Sequence, residues 1–410
     1  MQTKFQLKRR NFFKKISTAG LFLFPGTQLF AEKNNETGEA THALKEDDLR
    51  ISRIEFIRLT GIAGNKSIYV TAETENGIKG IYGPIDDDAV ILADKLMVKK
   101  VIGRNALEHE AIWNDLFDGD RHSRGSHYFM GMSTIDNLLW DLKGKIFNQP
   151  VYKLLGGNRK QVQVYGSCLG FSQETDEMQA KARELKAEGF KHQKWFLNQT
   201  NPADGPEIMF ENVEKVRLLR EALGEDSDLM IDVLFNWNLP YATSWAKRVE
   251  KYNLRWFEEP VPSANIDAFI ELSKETSTPI AAGEHFYGRW DVQNFLKADA
   301  IRVIQADPEW CGGVSELVKI CAIASVHGAQ VIPHGHSLHA AMHVVASQSP
   351  DTCPLVEYLI NKMNGNYYDF DKNPPRPVMG KLTLSDKPGF GIELDPSKIS
   401  KQEVITYKEL

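Results

Sequence analysis

Short apolar runs, each closed by one polar residue, recur along the second half of this chain at a nearly constant interval. They end on Lys194 (GFKHQK), Asp232 (LMID), Glu258 (LRWFE), Glu284 (IAAGE), Asp307 (VIQAD), His334 (VIPH) and Glu357 (PLVE). The spacings are 38, 26, 26, 23, 27 and 23 residues. One strand, one loop and one helix take up that length, because a parallel strand pair needs a crossover of about a dozen residues or more. A closed ring of such units gathers the C-terminal ends of all its strands around one mouth. The polar residues would then share a pocket.

The pattern predicts strands near 162–168, 190–196, 229–233, 254–258, 279–283, 301–306, 330–334 and 354–358. Helical periodicity fills the gaps, as in Asp176–Glu188, Glu211–Leu223, Tyr241–Tyr252 and Val314–His327. Eight strands with about seven helices predict an α/β fold, a modified TIM barrel (β/α)7β over residues 161–374. Before it, residues 51–84 alternate as strands do, with Asn76-Gly77 as a hairpin signal. Helices are expected over 87–101, 107–117 and 133–146. A polar, glycine-bearing loop is expected over 119–131, carrying Arg121, His122, Arg124, His127 and Tyr128. An α+β domain is therefore expected over 51–160, completed by the Pro-rich residues 375–410.

The N-terminus reads differently. Lys8-Arg9-Arg10-Asn11-Phe12-Phe13-Lys14 precedes an apolar stretch from Ile16 to Phe24, a twin-arginine signal pattern over residues 1–31. The stretch is too short to span a bilayer, and no cysteine follows it to carry a lipid anchor. The expectation is export by the twin-arginine machinery to the periplasm, with 32–50 as a flexible leader. That route carries folded proteins, which suits an enzyme loaded with metal before export.

The chain has 410 residues, 42% of them hydrophobic, enough for a large core and two domains. Its net charge is −6 and it has no basic tract beyond the N-terminus, which argues against nucleic acid as a partner. Cys168, Cys311, Cys321 and Cys353 lack zinc-type pairing and read as small packing residues.

The chemistry lies in the repeated polar residues. Asp232, Glu258 and Glu284 offer hard oxygen ligands from three successive strand ends, which suits Mg²⁺, with Mn²⁺ as a competitor. Such a cation can hold a substrate carboxylate and stabilise the enediolate left when the α-proton departs. Glu259 is expected to point to the other side of its strand. His334 is the candidate base, and Asp307 is placed to bind its far nitrogen. Glu357 reads either as a protonated donor to the substrate carboxylate or as an ordinary strand-end acid. Lys194 could neutralise a substrate oxygen or act as an acid. Two positions on stands Phe196, which moves no proton, so one competent face favours elimination over racemisation. His336 and His339 are weaker candidates, read as loop or helix residues.

These residues, with Ser133–Lys145 (STIDNLLWDLKGK), Pro150–Gly157 (PVYKLLGG), Trp256–Pro260 (WFEEP) and Gly283-Glu284, resemble the enolase superfamily, mandelate racemase/muconate lactonizing enzyme group. The resemblance runs from about Ile51 to the end. Trp310–Gly313 (WCGG) and Pro333–Ser337 (PHGHS) are most similar to the rhamnonate dehydratase branch of sugar-acid dehydratases. It implies a capping α+β domain over a (β/α)7β barrel, Mg²⁺ on Asp232, Glu258 and Glu284, an Asp307–His334 base and Glu357 near the substrate carboxylate. Two departures stand out. Lys194-Trp195-Phe196 replaces the Lys-x-Lys of racemases, and Leu234 stands where some members place Asn.

The first expectation is a Mg²⁺-dependent dehydratase of an aldonic acid, giving a 2-keto-3-deoxy product. The alternatives are a racemase, epimerase or cycloisomerase using the same enediolate, and a non-catalytic sugar-acid binder. A homo-oligomer is expected. Loops near Gly61–Ser67, Tyr82–Asp88 and Arg121–Tyr128 are expected to close over the mouth. Arg121, His122, Arg124 and His127 from that side, and His285, Arg289 and Trp310 from the barrel side, are candidates to bind substrate.

Overall fold

A computed structural model describes residues 49–122, 124–197 and 201–407. The expected export signal and the leader through residue 48 lie outside the described residues. The last two leader positions belong to the fold: Leu49 is buried, and Arg50 forms an antiparallel bridge with Asn105.

Strands β1 (Ile51–Gly61), β2 (Lys66–Thr74) and β3 (Lys79–Ile85) pair antiparallel. The β2–β3 turn needs a left-handed residue, and Gly77 supplies it with φ +83°. Two helices follow, broken by one π-helical turn at Ala93–Met97, and then the helix His109–Gly119. The next helix is longer than its pattern suggested. It runs from Ser126 to Ile146 and absorbs the second half of the expected polar loop. Burial explains the difference, since Tyr128, Phe129 and Met132 all lie in the core and tertiary packing overrides weak local propensity. Gly131 is a packing residue rather than a loop signal. A Cβ there would sit 3.0 Å from the Met97 methyl and 3.3 Å from the Ala93 nitrogen.

The barrel strands follow the apolar runs. They are β4 (Gln161–Ser167), β5 (His192–Phe196), β6 (Asp228–Asp232), β7 (Trp256–Glu258), β8 (Ile280–Ala282), β9 (Val303–Ile304), β10 (Gln330–Val331) and β11 (Leu355–Leu359). All are parallel, in the order β10-β9-β8-β7-β6-β5-β4-β11. Two bonds join the ends of that order: Val331 N donates to Thr352 O (2.8 Å) and Glu357 N to Pro333 O (3.3 Å). Helices alternate with the strands, so the fold is a modified (β/α)7β barrel. Strand β12 (Lys381–Thr383) pairs antiparallel with β4, and β13 (Ile399–Ile405) pairs antiparallel with β1. Among the described residues, no helix is long and apolar enough to cross a membrane.

The barrel interior explains why the polar residues point inward. Tyr165, Met230, Trp256, Ala281, Val303, Ile332 and Leu355 form a separate buried apolar cluster, one residue from each of seven strand positions. Side chains alternate along a strand, so residues two further on face the same interior one layer higher. Those residues are Ser167, Asp232, Glu258, Gly283, Gln305, His334 and Glu357.

Candidate active site

Lys194 lies at the centre of this polar layer. Its ammonium is hydrogen-bonded to Glu258 and lies 3.0 Å from Glu357 Oε1 and 3.2 Å from Asp232 Oδ2. Burial alone would lower its pKa, but Glu258, Glu357, Tyr165 and Asp232 outweigh that and raise it well above the ordinary lysine value. In this arrangement Lys194 is the counter-ion of three buried acids. Glu258 is held from its other side by Trp256 Nε1 at 2.7 Å.

The surroundings of Glu357 favour the carboxylate over the protonated donor. Burial would raise it, yet Lys194 and His334 hold it down to about 2. Its Oε2 accepts the Gly335 N–H at 3.0 Å.

Asp307 and His334 meet as expected. His334 Nδ1 lies 2.8 Å from Asp307 Oδ2. Nδ1 donates to the carboxylate oxygen, which leaves Nε2 turned toward the neighbouring carboxylates. Nε2 is 3.7 Å from Glu284 Oε2 and 3.9 Å from Glu357 Oε2. Asp307 is itself fixed, by Glu309 N on Oδ1 (2.7 Å) and His336 N on Oδ2 (3.1 Å). Burial would lower the imidazole pKa, but Glu284, Glu357 and Asp307 raise it to about 9. Neutralising Glu284 removes the largest of those raising effects and returns His334 toward the neutral form a base needs.

The three expected metal ligands do not form one compact set. Asp232 and Glu258 converge on Lys194, while Glu284 groups with Glu259 and His285, their ligand atoms within 4.8 Å of one another. Glu259 corrects the alternation argument. It stands just past the end of β7 with φ +46°, outside the extended geometry that alternation assumes. Its backbone is pinned there, with its N–H donating to Ala281 O and its carbonyl accepting from Phe235 N. Both of its carboxylate oxygens are buried without a hydrogen-bond partner. Burial raises Glu259 well above the ordinary range, and Glu284, Asp232 and Glu258 raise it further. Burial and Glu284 also raise Asp232, against the lowering by Lys194.

Asp232, Glu258, Glu259 and Glu284 thus crowd one buried region with more carboxyl groups than Lys194 can balance as anions, and burial raises three of them. The donors are hard oxygens with no thiol among them, so the residues present fit a divalent cation such as Mg²⁺.

Trp310 and His285 stand beside the dyad. Trp310 stacks on His334 (centroids 4.9 Å apart, planes at 29°), and His285 stacks on the Trp310 ring at 5.3 Å. Arg289 faces away, with its Nε 3.0 Å from buried Glu316. The polar-loop residues are more remote. His122, Arg124 and His127 line a shallow surface hollow of about 400 Å³ with Leu92 and Tyr128. Arg124 is also bound to Asp118, His127 lies 3.4 Å from Asp88, and Arg121 is exposed.

Two residues at the mouth escaped the pattern. Asp86, just past β3, accepts from Trp310 Nε1 (3.1 Å) and His336 Nε2 (2.8 Å). Lys362, on the short helix Ile360–Asn364, lies 2.9 Å from His336 Nδ1. The Asp86-Asp87-Asp88 run inside a loop expected to close the mouth was the available signal for the first. Nothing in the spacing marks the second.

Residues 177–398 match the family model "Enolase C-terminal domain-like", and residues 55–156 match "Mandelate racemase / muconate lactonizing enzyme, N-terminal domain". The chain belongs to the enolase superfamily. Within that superfamily it is 32% identical to the L-rhamnonate dehydratase of Saccharopolyspora erythraea, over 87% of this chain and 89% of the relative. It is 30% identical to the D-galactarolactone cycloisomerase of Agrobacterium fabrum, over 82% and 90%. The crystal structure of the 3,6-anhydro-D-galactonate cycloisomerase from Zobellia galactanivorans superposes with a TM-score of 0.74 at 25% identity, covering 86% of this chain and all of that one. This superfamily member is an enzyme of the mandelate racemase/muconate lactonizing enzyme group, similar to sugar-acid dehydratases.

Proposed function

We propose that the enzyme dehydrates an aldonic acid, removing the proton α to the carboxylate and expelling the β-hydroxyl to leave a 2-keto-3-deoxy acid. The observation that carries this reading is a single base. His334 Nε2 faces the carboxylate cluster with Asp307 behind it, whereas Lys194 is locked among three acids. Racemisation needs proton transfer on both faces of the carbon, and Phe196, two residues after Lys194, is buried and moves no proton. The names of the S. erythraea relative and of an arabinonate dehydratase at 29% identity agree with elimination.

In this reading Asp232, Glu258, Glu284 and Glu259 hold Mg²⁺, with Mn²⁺ as a substitute. A cation held there would supply positive charge to a substrate carboxylate and to the charge that develops as the α-proton leaves. The protein's own part is positional. Asp307 fixes the imidazole tautomer, so that Nε2 takes the α-proton. Glu357 stays ionised between Lys194 and His334 and stabilises the imidazolium that forms. Trp310 covers one face of that imidazole, and Trp310 and His285 flank the substrate.

The cycloisomerase names among the relatives support a second reading, in which the same enediolate expels a ring oxygen or is reprotonated. A panel of aldonic and aldaric acids incubated with Mg²⁺ in D₂O separates the two. The dehydratase reading expects a 2-keto product. Deuterium uptake at C2 with no loss of water would replace it with the isomerase reading, and binding without exchange would revive a simple binder.

The twin-arginine pattern at Arg9-Arg10 supports export to the periplasm. Cell fractionation and N-terminal sequencing of the mature chain test it; full-length enzyme in the cytoplasm would reject it.

A further inference from the structure

The loop after β3 belongs to the capping domain, yet its first side chain is spent on the barrel. Asp86 stands at the N-cap position of the helix Asp87–Leu92, where an aspartate ordinarily accepts an N–H of its own helix. It makes no such bond. Its Oδ2 instead accepts Trp310 Nε1 (3.1 Å), and its Oδ1 lies 2.8 Å from His336 Nε2. Burial would raise its pKa, but the bond to His336, the bond to Trp310 and the charge on Lys362 hold it below the ordinary range. Both oxygens therefore act as acceptors.

Both partners lead to the base. The Trp310 ring stacks on His334 (4.9 Å, 29°) and on His336 (4.8 Å, 45°). His336 N donates to Asp307 Oδ2 (3.1 Å), the oxygen that also lies 2.8 Å from His334 Nδ1. The barrel fixes the Trp310 backbone, whose N–H donates to Asp307 O (2.9 Å). The direction of the indole ring is a separate matter, and Asp86 holds the ring's one N–H. Tyr82, four residues earlier and on β3, is hydrogen-bonded to Glu309, the residue before Trp310. The end of β3 is thus clamped onto the stretch that carries Asp307 and Trp310.

We propose that Asp86 is a positioning residue for the base: from the capping domain, its two oxygens hold Trp310 and His336 so that the His334 imidazole keeps the orientation in which Nε2 meets the α-proton. Asp86 itself touches no reacting atom. The inference rests on His334 as the base, whether dehydration or isomerisation follows. An indole released from its N–H anchor can turn about its own side-chain bonds and leave one face of the imidazole unsupported. Small misplacements of a catalytic group are costly. The barrel's base is then aimed by a residue of the other domain.

The test uses the full chain and two readouts. One is C2 proton exchange in D₂O with Mg²⁺, on the first acid in a panel of aldonic and aldaric acids that the wild type exchanges. The other is the ¹⁹F resonance of Trp310 in enzyme labelled with 5-fluorotryptophan, assigned by its loss in Trp310→Phe; it needs no substrate. Asp86→Ala should shift or broaden that resonance. It should also lower the maximal exchange rate by about tenfold or more, with the half-saturating acid concentration within about twofold. Trp310→Phe keeps a ring and removes the N–H, and should slow exchange in the same direction. The double variant should lose no more than about twofold beyond Asp86→Ala, because both changes cut one link. Asp88→Ala, at the outer end of the same loop, should match the wild type in both readouts.

An unmoved Trp310 resonance in Asp86→Ala would overturn the proposal, as would losses that multiply in the double variant. A raised half-saturating concentration with the maximal rate unchanged would make Asp86 a substrate ligand instead. Equal losses in Asp88→Ala would reduce the effect to a loosened loop. If the wild type exchanges no acid in the panel, His334 as base falls, and this inference with it.

Discussion

The strand-end mouth and the seam along the helix Ser126–Ile146 both bury acids, and they treat them in opposite ways. At the seam, Asp141 accepts backbone N–H groups from Ile81 (2.9 Å) and Phe390 (2.9 Å), and Asp136 accepts Ser315 N (2.9 Å). Ser133, Asn137 and Trp140 complete the seam by binding Gly312 N, Val314 N with Pro308 O, and Ser315 Oγ. These side chains stand in for backbone partners and hold the loop that carries Trp310. At the mouth, Glu259 has no partner for either oxygen, and Asp232, Glu258 and Glu357 share one ammonium. A buried acid is costly unless its charge is met. Acids that accept backbone N–H groups hold the fold together, and at Asp136 one oxygen does so while the other, Oδ1, is buried without a partner. Acids with unmet charge mark the place where a ligand completes the structure.

The largest break in that contrast comes from the base. His334→Asn removes the group that accepts the α-proton while leaving the carboxylates in place. Turnover and C2 exchange should both fall by about a thousandfold or more, on the scale of general-base catalysis. Mg²⁺ binding by isothermal titration should change little. Exchange that survives the substitution would reject His334 as the base.

The next effect sharpens which acids meet the cation. Glu259→Gln should weaken Mg²⁺ binding by at least about 10- to 100-fold, the range for losing even an outer partner of a metal site. The Asp136→Asn seam variant should bind Mg²⁺ as the wild type does. Chelation should also lower the melting temperature, because a cation bound only by the folded state adds about 2.7 kcal/mol of stability at a hundred times its Kd. Unchanged affinity in Glu259→Gln would return Glu259 to the bystander role that strand alternation gives it.

The seam has its own pH signature. Burial raises Asp136 to about 7, opposed by its bonds to Ser315. An unfolded aspartate ionises near pH 3.9. Between about pH 4 and 7 the folded state holds a proton that the unfolded state has lost, so stability falls as pH rises through this window. Asp136→Asn keeps an acceptor for Ser315 N and carries no titrating proton. Its unfolding free energy should therefore drop less than the wild type's between pH 5 and pH 8, by on the order of 1–4 kcal/mol in urea denaturation. Equal drops in the two proteins would mean that Asp136 is ionised throughout.

How much of this was legible in the chain follows the same division. The barrel was readable because each inward residue repeats at strand–helix spacing, and the layer of Asp232, Glu258, His334 and Glu357 lies two residues above an apolar one. Glu259 was misread because alternation holds only inside a strand, and β7 stops at Glu258. Asp86, His336 and Lys362 stayed hidden for a different reason. They lie 250 and 26 residues apart along the chain, and only the closed barrel and the sheet above it bring them together. The first turns of the long helix over the seam are hidden in the chain because Gly131 has loop character until Met97 and Ala93 pack against it.

The smallest predicted effect concerns the residues that chemical type alone put at the substrate. Arg121, His122 and His127 are the cations and donors a sugar acid would want, and they lie in a loop expected to reach the mouth. In the structure Arg121 is exposed, while His122 and His127 line the outer hollow, where Asp88 faces His127. Asp86, two residues before Asp88, turns inward and holds Trp310 and His336. The loop therefore has an inner and an outer end, and chemical suitability does not tell them apart. Alanine at each of Arg121, His122 and His127 should leave kcat/KM within about twofold, as surface substitutions away from buried contacts usually do. Trp310→Ala should lower kcat/KM by about tenfold or more, since it removes the ring stacked on the base and misplaced catalytic groups are costly. A large rise in KM for Arg121→Ala or His127→Ala, with kcat unchanged, would show that the outer end swings in to bind substrate. The division between the two ends of the loop would then have to be redrawn.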